Sequence, residues 1–180
     1  MSGVDRLVVG ASGSPASLLA LRQARDLARC HQVPIVVVLA WTPPGGEDAD
    51  RRYPSPALRR CWERHFTGEL SRAAELAWGG LPADLDVTLL LLRGRPGPAL
   101  VEVADQRGDM LIVGIGRRSG IFGLRQAKVS RYCLAHARCP VLVVPQAATA
   151  RQLGLRPGTW MHRHLRLTLD QVDREWRATA

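Results

Sequence analysis

Lysine is almost missing from this chain. Lys128 is the one lysine among 25 basic residues, and the others are arginine. Such a skew is what a high-GC coding sequence imposes, and it weakens the nucleic-acid reading that a net charge of +9 invites. The arginines are scattered rather than clustered, and aromatic residues make up only 5% of the chain. The charge then speaks for solubility and non-specific adhesion, not for a partner. Cysteine is scarce as well. Cys30, Cys61, Cys133 and Cys139 form no CxxC pair and fit no zinc spacing, so free thiols of a reducing compartment are expected. No apolar run reaches the roughly 18 residues that a membrane span needs. No signal peptide is read at the start, because "MSGVDRLVVG" runs directly into a strand, so a cytoplasmic location is expected. His162 and His164 stand two apart without a third ligand, which gives no metal site.

What the chain does have is a core. Hydrophobic residues make up 46% of it, enough for one domain of this length with an extension. Five short apolar runs fall at residues 7–10, 35–41, 87–92, 110–113 and 141–144. They are continuous rather than alternating, the pattern of parallel strands buried on both faces. Helical segments lie between them, at 14–31, 57–78, 98–107 and 124–137, and Ser14-Pro15 reads as an N-cap followed by a first-turn proline. The stretch 42–56 reads as a loop. Strand and helix in alternation predict a doubly wound α/β sandwich with a five-stranded parallel sheet. Ligands in such folds sit beyond the carboxyl ends of the strands, where the winding reverses. The loops at those ends are 11–14, 41–43, 94–96 and 114–123. Residues 146–159 read as a linker. Beyond them Leu165, Leu169, Val172 and Trp176 fall four, three and four apart, a terminal amphipathic helix over 163–177 with Arg163 and Arg177 at its ends.

Four segments resemble the universal stress protein family over about residues 5–145. They are "DRLVVGASGSPASLLALRQA", "VPIVVVLAW", "GRPGPALVEVADQRGDMLIVG" and "VGIGRRSGIFGLRQAKVSRYCLAHARCPVLVVP". The resemblance implies an adenine-nucleotide alpha hydrolase-like fold with sheet order 3-2-1-4-5. It also implies a homodimer paired through the fifth strand, Val141 to Val144. The expected division is residues 1–145 for the domain and 146–180 for the linker and helix, the latter resting on its own domain or on a partner.

Members of that family that bind ATP carry a glycine, two residues, a second glycine, nine residues, a third glycine, then Ser or Thr. Glycines let backbone N–H groups approach phosphate oxygens, and the next helix aims its N-terminus at them. On the positions of this chain the first glycine is Gly114. Arg117 takes the second glycine position, Ala127 the third and Lys128 the hydroxyl position, while Val129 and Ser130 match the two residues that usually come after it. Gly116 sits one place before the second position. Family members that bind ATP also place an Asp where this chain has Ser12, next to Ala11. The adenine contact falls on backbone near Ala40. Two readings stay open. In one the site is closed, because Arg117 replaces a residue whose backbone freedom the loop needs. In the other, Arg117 and Lys128 grip the phosphates of ATP, AMP or another ligand by charge-assisted hydrogen bonds. The expectation leans to the first: no ATP bound in the usual family way, and a non-catalytic stress-response protein. Hydrolysis is not expected, since there is no GxxxxGK[ST] and no carboxylate placed for Mg²⁺.

Overall fold

A computed structural model describes residues 3–115 and 120–145, of which 120–127 are described as backbone only. Ten elements succeed one another along the chain: β1 (Arg6–Gly10), α1 (Pro15–His31), β2 (Ile35–Trp41), α2 (Glu47–Arg52), α3 (Pro56–Trp78), β3 (Val87–Arg93), α4 (Pro96–Val103), β4 (Asp109–Ile115), α5 (Gly120–His136) and β5 (Val141–Pro145). All five strands run parallel in the order β3-β2-β1-β4-β5. The winding reverses between β1 and β4, as the family resemblance implies.

The strands form where β-branched and leucine side chains run without interruption, because both faces of the sheet are covered. On one face Leu7, Val9, Ile35, Val37 and Ile112 pack under α1 and α3. On the other, Val8, Val38, Leu111 and Val113 pack under α4 and α5. Burying each such side chain stabilises the fold by about 1.5–3 kcal/mol. Helix α1 begins as its sequence predicts. Ser14 accepts from the Ser17 N–H, Pro15 supplies the first turn, and Gln32 closes the helix in the left-handed region at φ 55°. Its stripe of Ala20, Leu21, Ala24 and Ala28 is fully buried, and the small side chains let the helix lie close on the sheet. Helix α3 is built the same way, with Ser55 as cap and Gly79 at φ 78° as stop.

Three expectations need correction. The stretch 42–56 is not all loop, since Glu47–Arg52 form α2. This helix has no buried residue and no side-chain cap, so it shows no apolar period; three acids in its first turn and two arginines in its last favour it through the helix dipole. Helix α4 starts and ends earlier than 98–107, because Pro96 sits at its first turn and Asp109 accepts from the Gln106 N–H at 3.0 Å, shaping the turn behind it. Helix α5 starts at Gly120, four residues before the expected start.

Two further features fix the sheet. Arg6 on β1 makes a bidentate pair with Asp109 on β4, at 2.8 and 2.7 Å, and also donates to the Val103 carbonyl. The Asp109 side chain is 1% exposed, so this pair ties the amino ends of the two central strands from inside. All four cysteines are free thiols: Cys30 is exposed and Cys133 lies in the core. Burial pushes the Cys133 thiol up to about 11.

Candidate functional site

Of the residues expected to face a nucleotide, Ala11, Ser12, Ala40 and Gly114 lie at or just past the carboxyl ends of β1, β2 and β4. The first part of the site is the turn from β1 into α1. Ala11 is 7% exposed and donates its N–H to the Val38 carbonyl at 2.8 Å, which extends β1 by one rung along β2. The next residues form a closed set of hydroxyl contacts. The Ser12 N–H donates to Ser17 Oγ at 3.3 Å, and the Ser12 and Ser14 hydroxyls are 3.0 Å apart. Ser14 Oγ accepts the Ser17 N–H at 3.3 Å, and Ser17 Oγ donates to the Ser14 carbonyl at 2.9 Å. Pro15 has no N–H to offer. Several groups that would otherwise face an anion at this helix start are therefore bound to one another. Gly13, at φ 65°, makes the turn possible.

Gly114 is the second part, and its surroundings give it a second reason to be glycine. A Cβ at this position would collide with the Ala16 carbonyl and stand 2.9 Å from the Ser17 nitrogen. Strand β4 thus passes directly against the first turn of α1. The one motif glycine that the chain keeps is required by packing, with or without a ligand.

The rest of the motif lies in α5 or just before it. Gly116 and Arg117 lie outside the described residues, and Ala127 is described only as helical backbone. Because α5 starts at Gly120, Ala127 and Lys128 sit in its third turn, Lys128 about 12 Å along the axis from the first residue. Backbone N–H groups that far into a helix face carbonyls of the preceding turn rather than a ligand. Lys128 itself is exposed. Val129 is half-buried against the layer of Val8 and Leu111, and Ser130 is 1% exposed. These last two serve the core.

Ala40 is placed differently. In a parallel ladder, alternate residues turn their N–H and C=O to the same neighbour. Val38, opposite Gly10, is the last β2 residue in register with β1, and it accepts from Ala11. Ala40 turns its N–H and C=O to that same side, beyond the end of β1. The adjacent Trp41 carbonyl faces the other way and accepts from Gly94 at 2.8 Å.

Sequence reasoning missed what stands beside Ala40. Trp41 is 4% exposed and stacks on Phe66, with ring centroids 5.2 Å apart. The Arg93 guanidinium lies 5.9 Å from the Trp41 ring centroid and binds Glu47 at 3.1 and 2.6 Å and Asp50 at 2.6 Å. Arg59 also reaches Asp50, at 3.2 Å. Hydrogen bonding to Arg93 holds both carboxyls below their ordinary range and raises the guanidinium. The signal for this cluster was "GGEDADRR", a charge pattern with no apolar period to place it. A shallow hollow along α3, lined by Arg60, Glu63, Arg64 and Thr67, contains none of the residues expected to hold nucleotide. Among the described residues, no group of three or more His, Cys, Asp or Glu could hold a metal ion, and no helix is long and apolar enough to cross a membrane.

Fold and site together define a doubly wound α/β domain with its loops gathered at the β1–β4 switch point. The chain belongs to the universal stress protein family, whose model it matches over residues 3–145. A Mycobacterium tuberculosis universal stress protein is 33% identical over 142 residues, which is 78% of this chain and 44% of that one. A Thermus aquaticus universal stress protein is 29% identical over 139 residues, 77% of this chain and 96% of its own length. Among solved structures, a universal stress protein in complex with cAMP is 25% identical at a TM-score of 0.56, covering 81% of this chain and all of that one. The chain thus spans less than half the length of the mycobacterial relatives it matches.

Proposed function

We propose that this chain is a non-catalytic universal stress protein, regulatory or protective, that does not hold ATP in the usual family way. The observation that carries the reading is the turn from β1 into α1, where Ser12, Ser14 and Ser17 bind one another and Gly114 is filled from behind by Ala16. Ser12 in place of an aspartate supports it, as does the position of Lys128 inside α5. The protein acts as a cytoplasmic homodimer through β5, and residues 1–145 form its working domain. The test is to heat-denature purified protein and run the supernatant on anion exchange. The closed site yields no adenine nucleotide; stoichiometric nucleotide overturns the reading.

A second reading has its own support. Ala40 offers a backbone donor and acceptor past the last β1–β2 rung, the pair that an adenine edge requires, and a 25% identical relative has been solved with cAMP. On this reading the chain is a nucleotide-binding sensor for ATP, AMP or another phosphate ligand, with Arg117 and Lys128 as its cations. A thermal shift with ATP that disappears in Lys128→Ala establishes it, and a shift left intact removes Lys128 as a ligand.

A further inference from the structure

The two faces of the sheet are not covered equally. On one face α1 and α3 together span all five strands, with α3 lying over β2 and β3. On the other, α4 lies over β1 and β2 and α5 over β4 and β5. Among the described residues, no helix packs on β3 on that second face as extensively as α4 packs on β1 and β2. The strand nevertheless reads "VTLLLLR", and its side chains on that face, Leu90 and Leu92, are half-buried members of the apolar layer, as is Val36 on β2. An edge strand whose leucines stay partly open to water is a liability that folds manage by covering it.

The family match ends at Pro145, the last residue of β5. The segment beyond it carries the apolar stripe Leu165, Leu169, Val172 and Trp176 at helical spacing, with charged residues over much of the rest. Pro145 stands at the opposite edge of the sheet from β3, four strand spacings or about 19 Å away. Residues 146–164 can span about 60 Å when extended, so the stripe reaches β3 without strain. We infer that residues 163–177 supply a further helix to this α/β domain, laying Leu165, Leu169, Val172 and Trp176 across Leu90, Leu92 and Val36 of the same chain. The occupant is a segment of this chain rather than a second copy, because the stripe is tethered within reach of the face at high effective concentration.

The experiment is nuclear Overhauser spectroscopy on the full chain with labelled leucine and valine methyls. Contacts from the Leu90 and Leu92 methyls to Val172 and the Trp176 indole are expected, independent of protein concentration, and their loss is expected in Leu169→Asp but not in Leu169→Met. Contacts to another surface, or none at all, overturn the assignment. So do contacts that appear only between differently labelled copies in a mixed sample, which would make the occupant a second molecule. Because Leu169 lies beyond the family domain, Leu169→Asp leaves the remaining methyl spectrum folded, and a global collapse of that spectrum also counts against the proposal.

Discussion

The carboxyl ends of the strands divide into two halves that are closed by different physics. At β1 and β4 the closure is made of backbone and hydroxyls: Gly114 lies against Ala16, and three serines bind one another. At β2 and β3 it is made of charge and an aromatic ring: Arg93 sits near Trp41 and holds Glu47 and Asp50 of α2. The first closure is short-range and sterically fixed, so it yields to nothing smaller than a rearrangement of α1. The second is exposed and screened by solvent, so it yields to acid and salt. In the family's arrangement the phosphates would approach the first half and the base the second. On the proposed reading it is the rigid half that is closed, while Ala40 in the adjustable half turns its N–H and C=O past the last rung between β1 and β2.

The comparison can be broken at its stiffest point first. Gly114→Ala puts a methyl into backbone that cannot move aside, and we expect a loss of about 3 kcal/mol in urea unfolding, the upper end of overpacking costs. A loss below about 1 kcal/mol would show that β4 and α1 can part, and that Gly114 is free to serve a ligand. Next is Ser14→Ala, which removes the α1 cap and should cost about 1 kcal/mol, while Ser14→Gly costs only a few tenths. Equal losses for the two variants would mean that the hydroxyl is not acting as a cap. The smallest global effect belongs to Arg93→Ala. The unfolding midpoint should barely move, while hydrogen exchange of the α2 amides becomes faster.

Acid should act like Arg93→Ala. Glu47 and Asp50 are held below their ordinary range in the folded chain. Their contribution is therefore complete above about pH 4, where they would titrate when unfolded, and it is lost as pH falls through their lower folded values. Amide exchange in α2, corrected for its intrinsic pH dependence, should rise below that range in the wild type and rise less in Arg93→Ala, where only the helix dipole and Arg59 still favour the charged acids. An equal rise in both would place the acid sensitivity elsewhere.

Much of this was legible in the sequence, and the parts that were not share a cause. Continuous apolar runs such as 35–41 identify buried parallel strands, because only a strand covered on both faces tolerates them. Ser14-Pro15 identifies the start of α1, because capping is local chemistry. Helix α2 was illegible, since its six residues pack nothing and are held by Arg93, which lies 43 positions from Asp50 in the chain. Gly114 was legible as a glycine but not as a packed one, because its partner at Ala16 belongs to another element. The motif positions Arg117 and Gly116 fall outside the described residues, and the terminal helix over 163–177 does too. Local rules reach as far as a turn of helix; the closure of this site depends on contacts made across the fold.

The core thiol has a consequence for a protein whose relatives are named for stress. With the Cys133 sulfhydryl pushed up to about 11, only about one molecule in ten thousand carries it as a thiolate at pH 7. Peroxides and electrophiles react with thiolates, so the interior behaves toward them as hydrocarbon. Cys30, near the end of α1, is the one exposed thiol of the four. A thiol-reactive probe is thus expected to label Cys30, at the surface end of α1, while Cys133 beneath the sheet stays unlabelled.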